Sequence, residues 1–262
     1  MIIDSHAHIF PDKIALKAAK GIGEFYGLEM RYDGSIKSLL ESGEKAGIDK
    51  FIVHSVATVP EQIRNINNFL ASAVEQYPEK LIAFATLHPD MKDMPGEINR
   101  IRDMGFNGVK LHPDFQKFNI DSRKAMKIYE RIEGQFPLLV HTGDYRYEYS
   151  KPSRLVSVLE NFPNLDVIAA HFGGWSQWNE AEKALAGKRL FVDTSSSFYS
   201  MTPDKAKQLI DAFGADRCLF GTDYPMWDAA QELEMLKKIP ISDGQMEKIL
   251  HGNIEKLLGF DT

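Results

Sequence analysis

The fold of this chain follows from one stretch of its sequence, LLVHTGDYRYEYSKPSRLVSVLENFPNLDVIAAHFGG (residues 138–174). The stretch begins with an apolar run, continues through a polar loop and the helical pattern PSRLVSVLENF, and ends with a second apolar run. Both runs are continuously apolar, which is typical of strands that are covered on both faces. A strand, a helix and a strand in this order predict two parallel strands joined by a helical crossover.

The same alternation fills the rest of the chain. Eight short apolar runs occur, at residues 1–4, 50–55, 81–89, 108–113, 138–143, 166–174, 189–196 and 218–225. Amphipathic segments separate them, as in EQIRNINNFLASAVEQY (61–77), where apolar residues recur at the spacing of one helix face. Eight such units predict an α/β fold, a (β/α)8 TIM barrel with a C-terminal helical extension, formed as a single domain over residues 1–262. An open doubly wound sheet is the alternative, but its glycine-rich phosphate turn is missing from the sequence.

Composition excludes several classes of partner. A formal net charge of −6 and the lack of a Lys- or Arg-rich run argue against nucleic acid or a membrane surface as partners. The single cysteine, Cys218, lies in an apolar run, so a disulfide framework and a cysteine-based zinc site are both excluded. The sequence contains neither a signal-peptide pattern nor an apolar segment long enough to span a bilayer, and we therefore expect a cytoplasmic protein.

Ionisable side chains collect at the carboxyl ends of the apolar runs. Five of the eight histidines lie there with Lys110 and Asp223; these histidines are His6, His8, His112, His141 and His171. In a TIM barrel these strand ends meet at one face, where catalytic groups gather. His6 and His8 are two residues apart on one strand, so both imidazoles point to the same side. Imidazole nitrogens and a carboxylate oxygen suit a zinc-like ion, so their convergence predicts a divalent metal site.

The motifs HAH (6–8), HTG (141–143), AHFGG (170–174) and GTDYP (221–225) together resemble the amidohydrolase superfamily. The resemblance is narrower to the amidohydrolase-2 branch, which contains aminocarboxymuconate-semialdehyde decarboxylase and related hydrolases. It implies a divalent metal, usually zinc, with the ligands His6, His8, His141 and Asp223. It also implies that His171 contacts the metal-bound water or the substrate, and that the reaction is either hydrolysis or non-oxidative decarboxylation.

The chemistry of these side chains is consistent with hydrolysis. A bound metal lowers the pKa of its water to about 7 and so supplies a nucleophile at neutral pH. Asp223 can accept a proton from that water and deliver it to the leaving group, while His171 orients the water. We therefore expect a metal-dependent hydrolase of a small organic substrate. The alternatives are a metal-dependent decarboxylase of an aromatic or unsaturated carboxylic acid, and a non-enzymic metal- or ligand-binding barrel.

Lys110 and His112 share one face of the fourth run and are predicted to bind substrate. A carboxylated Lys110 is the alternative, since such a group bridges two metal ions in some members of the superfamily. The resemblance is closer to the branch with a single metal ion. We therefore expect one metal ion per chain and an unmodified Lys110.

The segments that follow the apolar runs are rich in aromatic side chains. Large rings at these positions favour a walled pocket for an organic substrate, with a contact to another subunit of a homo-oligomer as the alternative. Trp175 is a candidate wall residue. Arg146, in DYRYEY (144–149), is a candidate for bidentate binding of a substrate carboxylate, with a solvated arginine as the alternative.

Overall fold

Eight parallel strands form one sheet in the computed structural model, which describes residues 1–260. The strands lie side by side in sequence order; they are β1 (Ile3–His8), β2 (Lys50–His54), β3 (Leu81–Thr86), β4 (Gly108–Leu111), β5 (Leu138–Val140), β6 (Val167–Ala169), β7 (Phe191–Asp193) and β8 (Cys218–Leu219). A parallel bridge between Ala7 and Tyr224 joins the first strand to the segment after the last. The TIM barrel predicted from the sequence is therefore confirmed.

Helices follow every strand and surround the barrel. They are α1 (Asp12–Tyr26), α2 (Ile36–Ala46), α3 (Ile63–Gln76), α4 (Met94–Asp103), α5 (Pro113–Gln116), α6 (Arg123–Ile132), α7 (Pro152–Asn161), α8 (Trp178–Leu185), α9 (Pro203–Phe213), α10 (Ala229–Lys237), α11 (Asp243–Glu247) and α12 (Asn253–Leu258). The last two helices form the predicted C-terminal extension. Across residues 1–260, every helix is too short or too polar to cross a bilayer. The predicted domain, residues 1–262, ends two residues beyond the described part of the chain.

Local sequence determines where a helix begins and ends, and α2 shows how. The side chain of Ser35 accepts a hydrogen bond from the backbone N–H of Ser38 at the first turn, a cap that stabilises a helix by about 1 kcal/mol. Gly47 ends the helix with a φ of 75°, a conformation that glycine adopts without steric cost. The buried residues of α3 lie on one face, as the sequence periodicity predicts; they are Ile63, Asn67, Leu70 and Ala73.

The interior of the barrel has an apolar lower layer. Its buried members include Ile3, Ile52, Phe84, Leu139, Ile168 and Leu219 from the strands, with Ile254 of α12 beneath them. Burial of each large apolar side chain stabilises the fold by about 1.5–3 kcal/mol. Gly108 leaves room for Phe84, since a Cβ at Gly108 would lie 2.6 Å from the Phe84 ring.

The layer above the apolar one is polar, because residues two apart on a strand share a face. Ile52 is followed on the same face by His54, and Leu139 by His141. Gly108 is followed in the same way by Lys110. In these three strands the alternation carries an ionisable side chain to the carboxyl end of the barrel, where TIM-barrel active sites lie. In β1 a register shift between Asp4 and Ala7 interrupts the alternation before His8.

Candidate functional site

A pocket at the carboxyl end of the barrel contains most of the predicted site residues. It is lined by His6, His8, Lys110, His112, His141, His171 and Asp223, together with Ile22, Tyr26, Phe115, Pro225 and Met226. The polar members come from five strand ends, and each polar member is less than a tenth exposed. The structure therefore brings seven of the predicted residues to one place.

His6 is oriented by a carboxylate on its outer side. Its Nδ1 donates a hydrogen bond to Oδ2 of Asp193 at 2.8 Å, which leaves the lone pair on Nε2. That Nε2 lies 3.4 Å from Oδ1 of Asp223. Burial raises the pKa of Asp193, but the contact with His6 outweighs it and holds that pKa well below its usual range. A carboxylate behind an imidazole is the arrangement that fixes the tautomer of a metal-binding histidine.

Asp223 is held between two imidazoles and a hydroxyl group. Its Oδ1 also lies 3.3 Å from Nε2 of His8, and its Oδ2 accepts a hydrogen bond from Ser196 at 2.5 Å. Burial alone raises the pKa of Asp223, but the surrounding histidines, His6 first, hold it well below its usual range. Asp223 is therefore ionised at neutral pH and its Oδ1 is available as a ligand or a base.

His141 and His171 face each other across the pocket. Nδ1 of His141 lies 3.0 Å from Nε2 of His171. The Nδ1 of His171 donates to the carbonyl oxygen of Ser195 at 3.0 Å, so its Nε2 carries the lone pair. On the outer side, Nε2 of His141 lies 3.3 Å from Oδ2 of Asp114. The inner nitrogens of the two rings therefore face each other, with Ser195 behind His171 and Asp114 near the outer nitrogen of His141.

The donor set fits a divalent cation. Burial lowers the pKa of His8 to about 4 and that of His171 to about 3, so both imidazoles are neutral at pH 7 and can act as ligands. Residues 1–260 contain three groups of His and Asp side chains whose ligand atoms, within each group, lie no more than 4.8 Å apart. The groups are His6, His8 and His54; His6, His171 and Asp193; and His112, Asp114 and His141. His6 and His8 share one group, His141 belongs to another, and Asp223 contacts His6 and His8, so the set of four predicted ligands stays a prediction.

The side chain of Lys110 lies against Nε2 of His6. Its Nζ lies 3.0 Å from Nε2 of His6, and the side chain is fully buried. Burial lowers the pKa of Lys110 to about 8, against the opposing effect of the Asp223 and Asp193 charges. Among the described residues, Lys110 is the only lysine or arginine that lines the pocket. Nε2 of His6 therefore has both Nζ of Lys110 and Oδ1 of Asp223 as neighbours.

His112 lies on one wall of the pocket. Its ring stacks on Phe115 at 3.8 Å and on His141 at 3.9 Å between centroids. Its Nδ1 accepts a hydrogen bond from the backbone N–H of Phe115 at 3.3 Å, so its Nε2 carries the hydrogen and donates to the Tyr26 hydroxyl at 2.9 Å. That hydroxyl keeps its own hydrogen free for a ligand.

Arg146 and Trp175 lie outside this pocket. The guanidinium of Arg146 donates to Asp144 at 2.9 and 2.7 Å and to the carbonyl oxygen of Phe25 at 2.5 Å. Four aromatic rings surround it at 4.7–5.6 Å; they belong to Phe25, Tyr26, Tyr147 and Trp175. The two residues hold the end of α1 over the site, and the contact with substrate expected of each stays a prediction.

The sequence analysis missed three polar residues that support the site. Asp193 ends β7 behind His6, and Asp114 follows β4 behind His141. His54 ends β2, fully buried, with its ring 4.8 Å from that of His6 and 4.4 Å from that of His8. His141 was predicted as a site residue because it ends an apolar run. His54 and Asp193 end strands in the same way, so the sequence contained the signal that could have identified them.

Comparison with known proteins gives a family and a set of relatives. The family profile Amidohydro_2, described as Amidohydrolase, matches residues 3–260. A curated gamma-resorcylate decarboxylase from Polaromonas sp. (strain JS666 / ATCC BAA-500) is 25% identical over 251 residues, which cover 75% of this chain and 76% of the relative.

Solved structures share the architecture. An uncharacterized TIM-barrel protein from Bordetella bronchiseptica superimposes with a TM-score of 0.79 at 23% identity over 98% of both chains. A dihydroxybenzoic acid decarboxylase from Polaromonas sp. JS666, solved with manganese and the inhibitor 2-nitroresorcinol, has a TM-score of 0.77 at 16% identity and covers 100% of this chain and 97% of its own. At these identities the likeness confirms the fold alone.

Proposed function

The chain belongs to the amidohydrolase family, and from this premise we propose that it is a metal-dependent decarboxylase, which removes carbon dioxide from an aromatic carboxylic acid without oxidation. The curated relative named gamma-resorcylate decarboxylase favours this reaction over the hydrolysis expected from the sequence. Membership of a family of enzymes also disfavours the non-enzymic alternative.

The observation that carries the proposal is the position of Lys110, a fully buried lysine whose Nζ lies among the imidazoles of the pocket. The pocket lining contains one carboxylate, Asp223, and one lysine, and both are buried. An anionic carboxylate that enters this pocket gains a charge-assisted hydrogen bond from Lys110, which is stronger than a neutral one. A neutral ester or amide substrate would leave the buried ammonium without such a partner. The pocket therefore favours a carboxylic acid.

We assign one divalent metal ion to His6, His8, His141 and Asp223. Imidazole and carboxylate ligands suit both zinc and manganese, so the ligand types leave the choice between these ions open. When bound, such an ion withdraws electron density from the oxygen atoms of the substrate. Lys110 stays unmodified in this assignment and contacts the substrate.

Decarboxylation breaks the bond between the ring carbon and the carboxylate, and the electron pair of that bond needs a proton at the ring carbon. Asp223 is the group that moves this proton. Its ionised carboxylate takes a proton from a hydroxyl group beside the substrate carboxylate and returns it to the ring carbon as the bond breaks. Ser196 holds one oxygen of Asp223 in place, so the other oxygen faces the pocket.

Other residues position the substrate and exclude water. Tyr26, with its free hydroxyl hydrogen, and His171, with its Nε2 lone pair, offer a donor and an acceptor to the substrate hydroxyl groups. Ile22, Phe115 and Met226 supply apolar walls against the ring faces. Exclusion of water by these walls keeps the transferred proton on the path between Asp223 and the substrate.

The test is turnover of 2,6-dihydroxybenzoate by protein loaded with Mn²⁺ or Zn²⁺. In deuterium oxide, proton NMR should show resorcinol that carries deuterium at the carbon that lost its carboxylate, with an equal amount of carbon dioxide released. Hydrolysis is the second candidate, because Asp223 is equally placed to accept a proton from water. Turnover of lactones or amides, with none of any aromatic acid, would replace the proposed function with hydrolysis.

A further inference from the structure

A second cavity, of about 570 Å³, opens beside the candidate site. It is a groove between α1 and α3, and its walls include Ile14, Ala18 and Gly21 from α1 and Ile66 and Phe69 from α3. Its volume falls within the range of about 300–1,000 Å³ that small-molecule sites occupy. We call it the α1–α3 groove.

The α1–α3 groove adjoins the pocket that holds the histidines. His8, Ile22 and Phe115 line both cavities. The Nε2 of His8 lies 3.3 Å from Asp223, so the groove begins beside the carboxylate that moves the proton. Only the side chains of His8, Ile22 and Phe115 therefore lie between a ligand at Asp223 and the groove.

The lining of the groove determines what such an extension can be. Most of the lining side chains are apolar, and among the described residues no lysine or arginine faces the groove. Glu61 is its only carboxylate and lies exposed at the rim. A carboxylate or phosphate in the groove would lose water without gaining a cationic partner, whereas an apolar group gains from burial.

We propose that the α1–α3 groove is a substrate subsite for a neutral, apolar extension of an aromatic acid, such as a second aromatic ring or an alkyl chain. This inference rests on the proposed function for the position of the acid group. It adds the class of substrate: an aromatic acid larger than a single ring, with its carboxylate at Lys110 and its apolar end between the two helices.

Gly21 keeps the groove open. It lies inside α1, and a Cβ built there would meet no atom within 4 Å. Glycine is disfavoured in the interior of a helix, so a larger residue at this position does not cost helix stability. A leucine at position 21 can therefore fill the groove without displacing the backbone, which makes Gly21→Leu a selective block.

The chain offers a matched control. Gly244 is also a helical glycine, in α11, and a Cβ there likewise meets no atom within 4 Å. It does not line the groove. Gly244→Leu therefore repeats the change in helix propensity and surface while leaving the subsite intact.

The experiment measures binding to the Mn²⁺-loaded protein by calorimetry, with 2-hydroxybenzoate and its 4-phenyl and 5-phenyl derivatives as probes. We expect at least one phenyl derivative to bind ten-fold or more tightly than 2-hydroxybenzoate in the wild type and in Gly244→Leu. In Gly21→Leu the gain should disappear while the affinity for 2-hydroxybenzoate stays within two-fold. A carboxylate at the far end of the phenyl group should also remove the gain.

Three results would overturn the subsite. The first is equal affinity of the wild type for all three probes, and the second is a gain that persists in Gly21→Leu. The third is a change in oligomeric state in Gly21→Leu, measured by light scattering, which would assign the groove to a second copy of the chain. If the phenyl gain is present but no aromatic acid is decarboxylated, the subsite stands and the proposed function fails.

Discussion

The barrel interior has two layers of opposite polarity, and the same strands contribute side chains to both. The lower layer, with Ile52 and Leu139, is apolar, and the upper layer, with His54 and His141, is polar. Only two residues along each strand separate them. Lower-layer side chains contribute stability by burial, whereas upper-layer side chains need partners that the barrel supplies from distant strands. Substitutions in the lower layer should therefore change stability, and substitutions in the upper layer should change chemistry.

The largest effect is expected for His6→Ala in the upper layer. Loss of this imidazole removes a proposed metal ligand and the partner of Asp193. We expect the variant to lose most of its bound divalent metal and all measurable decarboxylation, as measured by elemental analysis and carbon dioxide release. His251→Ala is the control, because His251 pairs with Glu255 outside the site and should keep its metal. Full metal occupancy in His6→Ala would exclude the proposed ligand set.

Asp223→Asn should change catalysis in the upper layer with little change in the stability of the fold. The amide fills the same space but cannot carry the proton, so turnover should fall by about 10²–10⁴-fold, the range for loss of general acid–base catalysis. The midpoint of chemical denaturation should move little. Asp211→Asn, at an exposed carboxylate paired with Lys207, serves as the matched change and should be neutral. Turnover of Asp223→Asn within a few-fold of the wild type would remove Asp223 from the mechanism.

Leu139→Ala tests the lower layer. Leu139 is fully buried and the substitution leaves a cavity, so the free energy of unfolding should fall by about 2–5 kcal/mol. The metal content of the folded protein should be unchanged, since Leu139 lies below the ligands. Denaturant titration and elemental analysis on the same sample measure both quantities. Loss of metal without loss of stability would contradict the division into layers.

Lys110→Met tests the charge in the upper layer. A charge-assisted hydrogen bond contributes about 1.5–3 kcal/mol, so the affinity for 2,6-dihydroxybenzoate should fall by about 10–100-fold. Methionine matches the length of the buried stem, so stability should change little. We expect one metal ion per chain in both proteins, with Lys124→Met, at an exposed position, as the control. Two ions in the wild type and one or none in Lys110→Met would indicate a carboxylated lysine.

The smallest effect is expected from a buried acid outside both layers. Burial, with the charges of Asp223 and Asp4, raises the pKa of Glu232 to about 8. Because this pKa is higher in the folded than in the unfolded chain, its contribution to stability is full below about pH 4.5 and is lost as the pH rises through 8. Glu232→Gln should therefore lose less stability between pH 5 and 9 than the wild type does. Parallel slopes in the two denaturation series would contradict this.

Much of the fold was predictable because it depends on local pattern. Continuous apolar runs and helical periodicity predict the barrel, and strand alternation predicts that Lys110 and His141 point inward. The outer partners were harder, since Asp193 reaches His6 across 187 residues of sequence. Arg146 shows the other limit: Asp144, two residues away, binds its guanidinium, and a pattern of residue types does not show which acceptor an arginine chooses.

The barrel closes where β1 meets the segment after β8, and we call this contact the seam. Ser5 and Phe220, which hydrogen-bond across this seam, are 215 residues apart, and the backbone N–H of Asp223 donates to the carbonyl oxygen of His6 beside them at 2.8 Å. The first strand and the segment after the last strand therefore meet at the carboxylate and the imidazoles. A chain without β8 and the residues that follow it lacks Asp223, the carboxylate that contacts His6 and His8. The proposed site therefore needs both edges of the sheet, and a chain that lacks the segment around Asp223 should lose it.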